Sequence, residues 1–274
     1  MFKMRFRTIL SVFLIIACCG LVGCNLDNDL SLKESVDLFS YDQYLKKIWI
    51  VKDRDTREDL FRPSSFYITK IENGIIEGKF STNEVAEPDC YQYSFNPQKD
   101  WCDLIGTVDN GVAKCQFSGE SGYRGNIELV FKENNEVEAT IEYIEQKYEE
   151  YYLNGNFIFR PYNLTDFQYS LNPIKTRSFK TDLNYWGNVN FVTVIINGNK
   201  PYPKAFLTND NDDILYCFNA YQVGSEIIDV IIEDINGDGL KDVKMTISLL
   251  DFEYDSIYLQ MKNGLFYSSN LDEE

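Results

Sequence analysis

Two Asn-Gly pairs, Asn73-Gly74 and Asn110-Gly111, each stand between runs of β-branched and aromatic residues. Both members of such a pair accept positive φ, which the tight turn of a two-residue hairpin demands. They predict hairpins joining residues 65–71 to 75–80 and residues 104–108 to 112–117. Asn134-Asn135 offers the same device between residues 127–132 and 137–143. There Ile127, Leu129 and Phe131 alternate with Glu128, Val130 and Lys132, while Val137, Ala139, Ile141 and Tyr143 alternate with Glu138, Thr140 and Glu142. A period of two buries one face of a strand and wets the other. With residues 47–52, 91–95 and 156–159 added, about nine strands precede residue 165, and a meandering antiparallel barrel or sandwich is the expected closure.

Beyond Pro161 and Pro173 the alternation resumes in shorter runs, at residues 188–196, 204–208, 214–219, 227–233, 243–250, 256–261 and 265–268. No segment carries a sustained helical stripe. The expected architecture is mainly β: an N-terminal antiparallel β-barrel or sandwich over residues 45–165, followed by a second β-rich domain over residues 166–274.

Composition narrows the chemistry. The chain has 274 residues, 26 basic against 43 acidic side chains, and no histidine. Lacking histidine, it has no Ser-His-Asp or Cys-His constellation and no imidazole metal ligand. A net charge of −17, without a basic cluster, argues against nucleic acid, because neutralising phosphates requires a cationic face. G-x-S-x-G, HExxH, P-loop and G-x-G-x-x-G motifs do not occur, which removes the common hydrolase and nucleotide signatures.

The N-terminus reads as an address. Lys3, Arg5 and Arg7 precede an apolar run from Thr8 to Val22, then Gly23 and Cys24. This charged, apolar and small-residue order is that of a secretion signal, too short for a transmembrane helix of about 20 residues. Leu21-Val22-Gly23-Cys24 resembles the lipobox of bacterial lipoproteins. The resemblance implies cleavage before Cys24, lipidation of its thiol, and a membrane partner held through that N-terminal lipid. Residues 1–23 then form the signal peptide and residues 24–44 an acidic tether. Removing 1–23 takes away three basic and no acidic groups, leaving a charge of −20. A body of that charge is repelled by anionic lipid and stands off the bilayer.

One run carries metal chemistry: Asp234-Ile235-Asn236-Gly237-Asp238-Gly239-Leu240-Lys241-Asp242. Its alternating oxygen donors are Asp234, Asn236, Asp238 and Asp242, with the Leu240 carbonyl at the seventh position. Such a set suits Ca²⁺, a hard cation that takes six to eight oxygens. An EF-hand needs a bidentate Glu at position 12, where this chain has Met245, and it needs flanking helices, whereas Val243, Met245, Ile247 and Leu249 alternate as a strand does. The run resembles the DxNxDGxxD loop of FG-GAP and VCBS repeat proteins, which implies a strand-loop-strand calcium site. Those families repeat the loop around a propeller, and here it occurs once. The metal-free alternative is an acidic hairpin turn.

Other candidates are weaker. Asn209-Asp210-Asn211-Asp212-Asp213 reads as a solvated loop, and Asn163-Leu164-Thr165 is a formal glycosylation sequon. Tyr148, Tyr151 and Tyr152, or Tyr185 with Trp186, would suit sugar stacking or strand core. Cys90, Cys102, Cys115 and Cys217 remain after processing; Cys90 with Cys102 or Cys115 is one disulfide option, and buried free thiols are the other. The function these features imply is an extracytoplasmic, lipid-anchored binding or envelope module at the cell membrane, with a structural calcium site and a protein or glycan partner. The alternative is a surface hydrolase acting on glycan or peptidoglycan through carboxylates. Wild-type protein is expected to incorporate labelled palmitate and Cys24→Ala to take up none; equal labelling of the two would contradict the lipobox reading.

Overall fold

Eight antiparallel strands close on themselves. The structure is a computed structural model that describes residues 39–52, 65–81, 101–119, 122–145, 154–167, 174–196, 201–218 and 221–268. In chain order the barrel strands are Ile48–Val51 (β1), Ser65–Glu72 (β2), Ile75–Ser81 (β3), Trp101–Asp109 (β4), Val112–Ser118 (β5), Arg124–Lys132 (β6), Glu136–Glu145 (β7) and Gly155–Pro161 (β8). Each pairs with its sequence neighbour, and β1 pairs with β8 through Trp49↔Pro161, Ile50↔Arg160 and Val51↔Phe159. Of the two expected closures, the barrel is the one formed. It has eight strands; the anticipated strand at residues 91–95 lies outside the described residues.

The hairpin turns follow the sequence. Asn73 and Gly74 have φ of 52° and 72°, and Asn110 and Gly111 have 47° and 79°. Glu72↔Ile75 and Asp109↔Val112 pair across them, so both loops have two residues. The third hairpin differs. Lys132↔Glu136 is its last pair, and of the loop residues only Asn135 takes a positive φ, 60°. That is the three-residue hairpin form, with one left-handed residue at its end.

Period-two alternation fills the barrel. Ala113, Cys115 and Phe117 from β5, Ile127, Leu129 and Phe131 from β6, and Val137, Ala139, Ile141 and Tyr143 from β7 all belong to one buried cluster. Trp49, Phe66, Phe80 and Phe159 complete it, each with 0% exposure. Gly125 makes room for this packing: a Cβ there would stand 2.3 Å from the Phe117 ring, which lies edge-on to Tyr143 at 5.1 Å. Phe39, Tyr41 and Tyr44 pack beside the turns. The Tyr44 hydroxyl donates to the Lys132 carbonyl at 2.5 Å, the Gly111 N–H donates to the Tyr41 hydroxyl at 2.9 Å, and the Tyr44 ring lies 4.8 Å from Phe131. The closing residues of the expected tether, from Phe39 to Tyr44, are thus part of the barrel rather than a free linker. The signal peptide and the rest of the tether lie outside the described residues.

The remaining strands form two antiparallel four-stranded sheets. The first contains Ile174–Leu183 (β9), Gly187–Ile196 (β10), Tyr202–Thr208 (β11) and Ile214–Cys217 (β12), in the order β12-β11-β10-β9. The second contains Ser225–Glu233 (β13), Asp242–Leu249 (β14), Phe252–Gln260 (β15) and Phe266–Ser268 (β16), in sequence order. Strand β9 has no counterpart in the sequence reading. Its residues 176–180 are all exposed, so no hydrophobic period marks it.

Packing crosses residue 165. The described residues all belong to one compact unit, Leu38–Glu274, and the core of the two sheets takes in Ile48, Ile50, Tyr67 and Trp101 from the barrel strands. Lys47, beside β1, reaches the Asp213 carboxylate at 3.4 Å, with 10% and 11% of the two side chains exposed. Asn209 and Asn163 amides also donate to Asp213, at 3.0 and 3.1 Å. Removing one member of a buried ion pair strands the other charge, which costs about 3–5 kcal/mol. Asp213→Ala is therefore expected to lose that much in urea unfolding, and Lys47→Met with Asp213→Leu to lose less than the single variant. A single variant within about 1 kcal/mol of wild type, as exposed pairs are, would contradict a buried pair.

Candidate metal-binding loop

Strands β13 and β14 stay paired to Glu233↔Asp242, so residues 234–241 leave a closed hairpin and return to it. The strand-loop-strand setting anticipated for the oxygen-rich run is present. Gly237 and Gly239 take φ of 78° and 85°, a region open to glycine without a steric cost.

The loop's side chains hold its own backbone. Asp234 Oδ1 accepts the N–H groups of Gly237 at 2.7 Å and Asp238 at 3.1 Å, and Oδ2 accepts that of Gly239 at 2.9 Å. Asp238 Oδ1 accepts from the Leu240 N–H at 2.8 Å, and Asn236 Oδ1 from the Asp238 N–H at 3.0 Å. The Asn236 amide also donates to Asp238 Oδ2 at 3.1 Å. Asn184, from the β9–β10 turn, clamps the loop from outside: its Oδ1 accepts the Lys241 N–H at 2.8 Å and its amide donates to the Gly239 carbonyl at 3.2 Å.

Asp242 differs from the other acids. It is 0% exposed, and its two oxygens accept the N–H groups of Ile235 at 2.9 Å and Gln260 at 2.8 Å. These bonds pin the loop onto the end of β15 and leave each oxygen of this expected fourth side-chain ligand a further lone pair. Asp234, Asn236 and Asp238 are exposed. Their oxygens have the hard-donor chemistry of a calcium site, and a carboxylate oxygen accepting one N–H retains a further lone pair. Among the described residues, no group of three or more acid, thiol or imidazole side chains is gathered as metal ligands. The donor chemistry fits Ca²⁺; the gathering of the acids around one point is not present.

Beside the loop lies an open groove of about 830 Å³. Asn236, Asp238 and Leu240 line it together with Met261, Tyr267 and, from the barrel, Lys79. Neither Asn184 nor Lys79 was suggested by the sequence, because each reaches the loop region only through the fold. No protein-family model matches the chain, and comparisons with curated proteins and with solved structures return no match.

The remaining candidates are structural where they are described. Asp213 of the second acidic cluster is buried, and Asn209 Oδ1 accepts two loop N–H groups. The sequon asparagine spends its amide on the Asn211 carbonyl and Asp213 carboxylate, at 2.9 and 3.1 Å. Trp186 is buried and donates to the Gly264 carbonyl at 2.9 Å. Tyr185 bonds the Thr69 carbonyl at 3.1 Å and takes Lys46 Nζ over its ring at 4.5 Å. These two aromatics join barrel to sheets and form no open platform; Tyr148, Tyr151 and Tyr152 lie outside the described residues. Cys102, Cys115 and Cys217 are buried free thiols; Cys90, the partner of the disulfide option, lies outside the described residues. Burial pushes Cys102 and Cys217 up to about 11 and Cys115 up to about 12, which leaves all three protonated and inert near neutral pH.

The two classes of aspartate separate experimentally. Without metal, Asp242→Ala leaves the buried Gln260 N–H and the part-buried Ile235 N–H unpaired and is expected to destabilise by about 2 kcal/mol or more. Asp238→Ala, at the exposed tip, is expected to stay within about 1 kcal/mol. Equal losses in EDTA, read by urea unfolding, would contradict this division.

Proposed function

We propose that the protein is a lipid-anchored binding or envelope module of the extracytoplasmic face of the cell membrane, carrying a structural Ca²⁺ in the loop of residues 234–242. The observation that carries the binding role is the filled barrel. Trp49, Phe66, Phe80, Leu104, Phe117 and Phe159 each have 0% exposure, so these side chains fill the described part of the barrel interior, and the reading gives recognition to the outer surface. The groove beside the loop has the size of ligand sites, which run from about 300 to 1,000 Å³.

Asp234, Asn236, Asp238 and Asp242, with the Leu240 carbonyl, are the groups that would hold calcium. The ion would neutralise carboxylates that otherwise repel one another, and it would stiffen one wall of the groove. Asp242 and Asn184 also position the loop backbone. The lipid anchor rests on the Leu21-Val22-Gly23-Cys24 resemblance, and the acidic body keeps the groove off the bilayer.

Extracellular calcium modules bind at about 10⁻⁴–10⁻³ M. Calcium at ten times Kd stabilises the folded state by about 1.4 kcal/mol. Titrating calcium into EDTA-stripped protein is expected to raise the melting temperature and give a saturable heat, both abolished in Asp234→Ala. An unchanged melting temperature with no heat would leave the loop an acidic turn.

A further inference from the structure

Two hydrogen-bond donors in the groove beside the loop have no acceptor in the protein. Gln260, the last residue of β15, lines the groove and is 1% exposed. Its Oε1 accepts the Tyr185 N–H at 3.3 Å. That bond fixes the orientation of the amide, because the reverse flip would set one N–H against another. Its Nε2 has no hydrogen-bond partner among the described residues. A buried donor left unmet costs stability, and methionine or leucine would fill the same place without that cost. Lys262, two residues on, lines the same groove and makes no ion pair or hydrogen bond among the described residues. Lys79, on the barrel side, is already paired with Asp103. Leu240, Leu259, Met261, Leu265 and Tyr267 supply the apolar lining.

Donors without acceptors beside apolar side chains define what the groove takes. We propose that it binds a small carboxylic acid with an apolar body, whose carboxylate meets Lys262 Nζ at the exposed rim and Gln260 Nε2 deeper in the wall while the body lies on Leu240, Leu259 and Tyr267. A neutral carbonyl or hydroxyl would answer Gln260 and leave the Lys262 charge unused; a carboxylate answers both, and charge-assisted bonds are the stronger. The net charge of −17 does not forbid such a ligand. In physiological salt a charge is screened over about 8 Å, and the charged side chains that line the groove are Lys79 and Lys262 against Asp238. Asp238, on the loop side, opposes the carboxylate, and an ion held in the loop would neutralise it. The proposal rests on the reading of this groove as the recognition surface and names the ligand class for it.

The test titrates 1-naphthaleneacetate and its neutral counterpart 1-naphthaleneacetamide, by calorimetry, into the full chain in neutral-lipid nanodiscs, with empty nanodiscs as the blank. In EDTA and about 0.15 M salt, the acid is expected to bind about tenfold more tightly than the amide, as one charge-assisted bond allows. Lys262→Gln, a change at an exposed residue, is expected to erase that preference without altering the melting temperature. Gln260→Met is expected to weaken the acid about tenfold, and Asp238→Asn to tighten it by removing the opposing charge. A preference that survives Lys262→Gln would overturn the proposal. So would equal affinity for acid and amide, which would leave the groove a recognition surface for neutral ligands, and so would no binding of either probe, which would count against the groove itself. Titrating calcium alone into the same sample tests the loop separately, whatever the two probes do.

Discussion

Strand β1 is four residues long and belongs to two cores. Trp49 points into the barrel, stacked at 5.8 Å on Phe66, while Ile48 and Ile50 on its other face join the core of the two sheets. The same strand closes the barrel against β8. Few backbone hydrogen bonds hold so short a strand, so the burial of both faces stabilises it. The Tyr162 N–H bond to the Ile48 carbonyl at 2.8 Å and the Ile214 N–H bond to the Tyr162 carbonyl at 2.7 Å carry the connection onward to β12. Barrel closure and the packing of the C-terminal sheets therefore share this strand.

This arrangement bears on function. The aromatic side chains Trp49, Phe66, Phe80, Phe117 and Phe159 fill the barrel's described interior, so its free surface is the outer one. At one end of the second sheet, Asp242 and Asn184 fix an oxygen-rich loop beside a groove. At long range the acidic body disfavours anionic lipid and nucleic acid; within the groove the nearest charges decide.

Much of this was legible in the sequence, for physical reasons that also mark where reading stops. Asn73-Gly74 and Asn110-Gly111 were legible because few residue pairs tolerate two positive φ values, and β6 and β7 because one wet face leaves alternation visible. Strand β9 was hidden because its middle residues are exposed on both sides. β11 and β12 carry little alternation because both their faces are buried. The loop of residues 234–242 was legible as a loop, but the division between an exposed Asp238 and a buried Asp242 depends on Gln260, which only the folding of β15 brings near. The role of Phe39 to Tyr44 depends likewise on barrel turns far along the chain.

The central claim, that β1 welds barrel and sheets into one cooperative body, is tested most directly by differential scanning calorimetry of the protein. A shared strand predicts a single transition whose calorimetric enthalpy equals its van't Hoff enthalpy. Two resolved transitions, one for the barrel and one for the sheets, would show that each part folds without the other and would contradict the account.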